Sequence, residues 1–506
     1  MTCPPDTEWQ AHDSWQHVIK MELFDCTPHH RSRNATGTLT RHRWRLSIHI
    51  RLRLKENLLY EYLSVMRKRS KRYQAIFILL ALSVMSSGVV TAEYVAAEQN
   101  GTMRDRIEDS AGVPVEERTQ LVEPRENPTV ISTQKFGWDA LIVFGTEGRL
   151  QYYNNSLDRY HDVDPVANTS STVEFIGAKY EDDKTHLIIQ QLNISTNQIS
   201  TQYRHTVART TRPHRWHDAD RIDKSRYAIA DIRDDSVFII NTSSNVREFE
   251  WNAQSAYDLS SGGPFPRDWT HINDVEYLRD GTLMVSLRNQ DSVVFIEPNG
   301  QLNQSWTLGS DDAYQTLNEQ HNPDFIPQES GGPAIIVADS QNDRIVEYQR
   351  QGQEWKQTWI WYDTEMSWPR DADRLPNGHT LIGDTNSGRV LEVAPNGSVV
   401  WRIEGIPSYD VERLGTGDES TNGPSAQKAS IQPRNPETSV RESQLVGASM
   451  LPDIFVNSVA FVTPLWLSGV GQTASVLGAG SGGLLLTLTV ITYRSRIREG
   501  ISRWLR

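Results

Sequence analysis

The sequence predicts an all-β fold: a six-bladed β-propeller, with an N-terminal signal or anchor helix and a C-terminal transmembrane helix. Three observations carry that prediction. Segments 214–251, 268–309, 320–361 and 367–405 repeat one plan every 40–50 residues, and periods of that length mark repeat architectures. Each repeat reads as short strands separated by turns. Apolar, nearly uncharged stretches lie outside the repeats, one before them and one after.

The last repeat is the clearest. DADRLP, HTLIGDT, RVLEVAP and SVVWRIEG are strands, separated by Asn377-Gly378, a Asn-Ser-Gly turn and Asn396-Gly397. Asn-Gly between apolar runs is a strong hairpin signal, and a tight two-residue turn needs φ > 0 at both positions. Asp280-Gly281 and Asn299-Gly300 serve the 268–309 repeat in the same way. Four antiparallel strands per repeat make propeller blades. Weaker repeats at 135–160 and 172–203 raise the number to six, over 135–405. Trp251, Trp306, Trp361 and Trp401 recur near the ends of outer strands, where they are expected to pack between blades.

Residues 1–65 are basic and aperiodic and hold both cysteines, Cys3 and Cys26. They read as a disordered or upstream extension, with the true start at Met66. Residues 66–92 then form a basic n-region, an apolar run and a small-residue site, a signal peptide or signal-anchor. Residues 93–134 read as a polar linker, and 406–453 as a second one. The membrane region is 454–493, with the span at about 472–493 and 454–470 lying at the interface. The basic tail, 494–506, is expected to stay cytoplasmic, which puts the propeller outside the cytoplasm.

The net charge is −13. Residues 1–72 carry 14 Lys/Arg against 7 Asp/Glu, and the C-terminal region is also basic. The acidity is therefore concentrated in the propeller, a surface that repels nucleic acid. The propeller has no cysteine, which excludes disulfides and thiolate metal sites from it.

In a propeller the inner strands line a central channel. Their openings here are WHDAD at 216–220, HIND at 271–274, QHNPD at 320–324 and RDAD at 370–373. Three blades thus present His217, His271 and His321 at what reads as one repeat position, and the fourth presents Arg370. Pairing the strands across Asp280-Gly281 sets Arg288 opposite Asn273. These residues suit an anion or substrate site. Three histidines also suit a metal, but Arg288 beside them argues against a divalent cation. His379 lies away from the mouth and reads as structural. Asp218 and Asp371 either orient inner-strand polar groups or cap turns.

The segments 268–296 and 371–393, with the QHNPD opening at 320, resemble the arylsulfotransferase family, whose members do not use the nucleotide sulfate donor. The membrane segments bring it nearer the archaeal, membrane-anchored branch. The resemblance covers about 135–405, and the H-x-N…R pair is its most specific part. It implies transfer of a sulfuryl group from an aryl sulfate to a phenol through a sulfohistidine, without a cofactor. His321 falls on the nucleophile, His271 and Arg288 on the pair that binds the sulfuryl oxygens and assists proton transfer, and His217 on the remaining active-site histidine. Asn273 and Arg370 are expected to bind substrate. The rival readings are a non-catalytic, membrane-tethered propeller that binds a ligand or partner, and a calcium- or quinone-dependent propeller enzyme.

Overall fold

The computed structural model describes residues 71–135, 137–166, 169–210, 215–417, 419–435 and 453–504. The 1–65 extension, the Met66 start and the linker from 436 to 452 lie outside them. Six four-stranded antiparallel sheets form a propeller. Blades 2 to 6 each run outward from their first strand. The five inner strands are Arg159–Pro165, Trp216–Arg221, Ile272–Tyr277, His321–Ile326 and Pro369–Arg374.

Blade 1 is built from both ends of the ring. Its inner strand is Ser408–Arg413, paired with Thr129–Lys135 and followed outward by Trp138–Phe144 and Leu150–Asn154. The ring therefore runs from Thr129 to Arg413, beyond the 135–405 read from the repeats. Residues 159–160, read as the end of the first blade, open the second. Letting the last strand complete the first blade leaves no open inner edge. It also turns part of the expected 406–453 linker into ring. The following segment packs too: Ser420, Ser425 and Ala426 are buried, and the Ala426 N–H donates to Glu347 at 2.9 Å.

The hairpin turns differ from the expected two-residue form. Gly281, Gly300, Gly378 and Gly397 have φ between 80° and 89°, but the Asp or Asn before each does not. That side chain instead accepts the N–H two residues on, at 2.8–3.0 Å. Only the glycine occupies the left-handed region, so these turns are one step longer.

Apolar clusters lie between blades. Trp251 of blade 3 packs with Ile272 and Val285 of blade 4, Trp361 with Ala372 and Ile382, and Trp401 with Ile131 and Trp138. Trp306 packs at the blade 4–5 boundary, edge-on to Phe295 and Trp355.

Among the described residues four α-helices lie outside the ring: α1 Lys71–Asn100, α2 Met103–Ala111, α3 Asp453–Val462 and α4 Gly469–Trp504. The Thr102 hydroxyl and the Asp105 carboxylate form a reciprocal N-terminal cap on α2. Its Ile107 joins the cluster of blades 6 and 1. α1 and α4 are long and apolar enough to cross a membrane, and their apolar windows are only 6% and 11% buried. They are not core helices of the ring. α3 has ten residues, too few to cross a bilayer of roughly 30 Å. Instead of lying free, it packs on the propeller, with Asn457 buried.

Candidate active site

Every inner strand carries a bulge near its start, at Trp216/Asp218, Ile272/Asp274, His321/Asp324, Pro369/Asp371, Tyr160/Val163 and, in blade 1, opposite Ser132/Thr133. A bulge adds one residue on one strand and re-aims its side chain. Aligned on the aspartate that follows the bulge, the blades present two tiers. The outer tier is Arg159, Arg215, His271, His321 and Trp368. The inner tier is His161, His217, Asn273, Pro323, Arg370 and Tyr409.

This corrects the reading of the three histidines as one repeat position. His271 and His321 are equivalent, whereas His217 matches Asn273 and Arg370. Without the bulge the offset of two residues is invisible. The bulge also corrects the pairing of Arg288. Ile272 pairs with Leu287 and Asp274 with Ser286, so Arg288 falls beyond the strand and meets His271, not Asn273.

A cavity of about 640 Å³ at the channel mouth is lined by His217, His271, Arg288, His321 and Arg370. Asn273 is not among its walls. It lines the narrow channel beneath, where its amide donates to the Gln320 carbonyl at 2.9 Å. Lys135, Arg159, Arg215, Trp368 and Tyr409 also line the cavity. Five cationic side chains thus face two carboxylates, Asp139 and Glu319. Asp139 is paired with Arg159 at 3.0 Å and Glu319 with Arg288 at 2.5 Å. The excess of positive charge in a partly enclosed site favours an anion.

The backbone around the site is strained. His271, Glu319, Asn322 and Trp368 have φ between 36° and 53°, a region that costs non-glycine residues about 1–3 kcal/mol each. A repeated device holds it. Asp235, Asp291 and Asp343, each on a turn of the preceding blade, accept the N–H of Thr270, Glu319 and Trp368 at 2.9–3.1 Å. These aspartates went unremarked in the sequence reading. Their signal was the recurrent DDSV, QDSV and NDRI at the end of the second strand.

His321 has a defined tautomer. Its Nδ1 lies 3.2 Å from the Glu319 carbonyl and 2.8 Å from Ser340 Oγ. The Ser340 hydroxyl donates to the Pro369 carbonyl at 2.6 Å, so its oxygen accepts from His321. Nδ1 therefore carries the proton and Nε2 keeps its lone pair. Burial first, then Arg370 and Arg288, hold the His321 pKa well below the usual imidazole value. The ring is neutral at pH 7, the form in which nitrogen is nucleophilic.

Removing the oxygen that orders this ring is expected to slow transfer. One hydrogen bond contributes about 1 kcal/mol net, so Ser340→Ala should lower kcat about fivefold with KM for the donor little changed. Equal loss in Ser340→Thr, which keeps the oxygen, would refute the positioning role.

His271 Nδ1 contacts Asp268 Oδ1 at 2.7 Å. Arg288 Nη1 lies 2.9 Å and 3.1 Å from its two ring nitrogens. Burial, then Arg288, lower its pKa to about 4. His217 bonds the Tyr409 hydroxyl at 3.2 Å, stacks on His161 at 4.5 Å and meets His271 edge-on at 5.3 Å. Burial lowers the pKa of both His217 and His161 well below the usual value. Arg370 lies 5.1 Å from the Tyr409 ring centroid, and burial lowers its pKa to about 10. His379 pairs with Glu392 at 2.7 Å, away from the cavity. Among the described residues no group of His, Cys, Asp or Glu is arranged to hold a metal ion.

Beneath the site lies a ring of six buried aspartates: Asp162, Asp218, Asp274, Asp324, Asp371 and Asp410. Five of them join the blades. Asp162, Asp371 and Asp410 accept the N–H of Ala219, Val411 and Val163 in the next blade at 2.7–3.3 Å, and Asp218 accepts that of Val275. Between blades 5 and 6, Ser420 bridges Asp324 to the Arg374 N–H. Asp218 and Asp371 are therefore inter-blade acceptors, not turn caps.

Burial raises all six pKa values, to about 6 for Asp410, about 7 for Asp218 and about 8 for Asp324. Neighbouring carboxylates add to the effect at Asp162, Asp274 and Asp371. The folded ring binds more protons than the unfolded chain, whose aspartates titrate near 3.9. Its stabilising contribution is thus full below about pH 4 and lost as pH rises through about 6–8. Asp274→Asn, which removes one such titrating group, should raise Tm at pH 8, by about 2–4 °C per kcal/mol recovered, and raise it by clearly less near pH 5. A gain that is equal at both pH values would refute the titration.

A β-propeller with a histidine- and arginine-lined anion cavity at one mouth is the class that fold and site define. The arylsulfotransferase (ASST) family profile matches residues 148–405. The chain belongs to the arylsulfotransferase family. No curated protein matches it. Among solved structures, a Bacteroides caccae protein of unknown function is similar at 11% identity and TM-score 0.41, covering 58% of this chain and all of that one. The periplasmic gluconolactonase of Pseudomonas aeruginosa is similar at 12% and 0.39, covering 58% and 87%. A catalytically inactive virginiamycin B lyase from Staphylococcus aureus is similar at 8% and 0.36, covering 56% and 87%.

Proposed function

We propose that this protein moves a sulfuryl group from an aryl sulfate to a phenolic acceptor through a sulfohistidine at His321. The observation that carries the proposal is the fixed tautomer: a neutral imidazole with its Nε2 lone pair free, inside a cavity of cationic excess.

In the first half-reaction Nε2 of His321 attacks sulfur. The S–N bond forms, the S–O bond to the aryl oxygen breaks, and a phenolate leaves. In the second, the acceptor oxygen takes the sulfuryl group, and the N–S bond breaks. Arg288 and Arg370 meet the charge on the non-bridging oxygens, where preorganised cations act most strongly. His271, neutral and oriented by Asp268, receives the acceptor's proton. When protonated it donates to the departing phenolate. His217 and Tyr409 form the cavity wall behind it. Asp268 and Glu319 hold His271 and Arg288 in place.

The two terminal helices support the membrane-anchored branch of the family. The basic clusters beside them support placing the propeller outside the cytoplasm. The test is release of nitrophenol from 4-nitrophenyl sulfate by the full chain, dependent on added phenol and matched by phenyl sulfate formed. Release without an acceptor, or none at all, would remove the transferase reading.

A further inference from the structure

The roof of the cavity is not propeller. It is α3, which contributes Asn457, Ser458, Phe461 and Val462. α3 is fastened to the mouth by Asn457, which accepts from the Ser367 hydroxyl at 3.2 Å and donates to Asp343 at 3.3 Å. The chain then turns at Thr463–Ser468 into α4. α4 and α1 are joined to each other: Ser83 and Ser481 hydrogen-bond at 2.8 Å, and Glu93 accepts from the Ser468 N–H at 2.8 Å. The two membrane-length helices thus meet at the same mouth that holds the histidines.

A second cavity, of about 760 Å³, opens where they meet. Its walls include Ala96 and Ala97 of α1, Pro464, Leu465 and Trp466 of the turn, and Trp138 of blade 1. It shares Lys135 and Val462 with the active-site cavity. From the helices inward, the path therefore runs from a mainly apolar wall, which also carries Glu93 and Arg104, past Lys135 to the cationic pocket. A water-soluble phenol makes no use of the apolar half. The shape and polarity fit a molecule with a small polar head and an apolar tail.

We infer that the acceptor is a membrane-dissolved amphiphile, its hydroxyl presented to His321 and its hydrocarbon tail lying in the groove between α1, the 463–468 turn and blade 1. The inference rests on the sulfuryl-transfer reading above. The acceptor O–H bond breaks, its proton passes to His271, the O–S bond forms as the N–S bond of sulfated His321 breaks, and the product is an amphiphilic sulfate ester. That product leaves toward the helices along the route by which its precursor came.

The test uses the full chain in detergent micelles, with 4-nitrophenyl sulfate as donor and phenol, 4-propylphenol or 4-nonylphenol as acceptor at matched micellar concentration. The expected result is a kcat/KM that rises with chain length, by at least tenfold from phenol to 4-nonylphenol. Ala97→Trp, which fills the groove outside the catalytic cavity, should cut transfer to 4-nonylphenol at least tenfold and leave transfer to phenol unchanged. If phenol is sulfated and chain length has no effect, the inference fails while the sulfotransferase reading stands. If no acceptor is sulfated, that reading fails and the inference with it. If Ala97→Trp does not fold, the chain-length series on the unaltered protein decides alone.

Discussion

His321→Ala is expected to lose sulfuryl transfer by at least about 10⁴-fold in kcat, since removing a covalent nucleophile leaves only binding and electrostatic stabilisation. The same assignment makes the kinetics ping-pong. With donor and no acceptor, the unaltered protein should accumulate one sulfuryl group on the peptide that contains His321, and adding phenol should discharge it. The pH dependence follows from burial. The His321 proton affinity is held well below that of an ordinary imidazole, and protonation would block the attacking lone pair. The acid limb of kcat/KM should therefore lie below pH 6.5, with activity persisting where a solvent-exposed histidine would already be charged. Full transfer activity in His321→Ala, or a label on another residue, would end the assignment.

The blade pattern was legible because its signals are local. Turn glycines, alternating apolar runs and a terminal tryptophan all act within one repeat, and the sequence displays them four times with little disguise. The closing strand was not legible. Ser408–Arg413 makes its blade with residues almost 280 positions earlier, and nothing beside it in the chain announces a partner. Its own pattern, SYDVER, matches WHDADR and PRDADR once the channel aspartate is used as the mark. The histidines show the same limit. Their presence at the mouth could be read from the repeat, but their two tiers depend on a bulge that pairing alone reveals. His161 and Tyr409 were missed because they sit in the weakest repeat and in the closing strand. Lys135, Arg159 and Arg215 were missed because charged residues at strand ends are ordinarily solvated. Only the roof supplied by α3 makes the mouth a partly enclosed site in which their charge acts strongly.

Arg288 gives the second large effect. Arg288→Ala should lower kcat by about 10²–10³, the usual cost of losing one donor aimed at developing negative charge. KM for the donor should change less, because the ground-state sulfate is already a charged group held by Arg370 and its neighbours. The guanidinium reaches Glu319 with one nitrogen and the His271 ring with the other, so it works as a planar fork. A lysine offers a point charge in its place and should recover only part of the rate. A second consequence separates catalysis from packing. Arg288 is the largest influence lowering the His271 pKa after burial. Its removal should therefore move the titration of His271 upward from about 4 and shift the acid limb of the pH profile with it. An Arg288→Ala variant that folds, turns over at the original rate and keeps its pH profile would take Arg288 out of the site. A rate loss with no shift in the profile would place it on the sulfuryl oxygens without influence over the proton on His271.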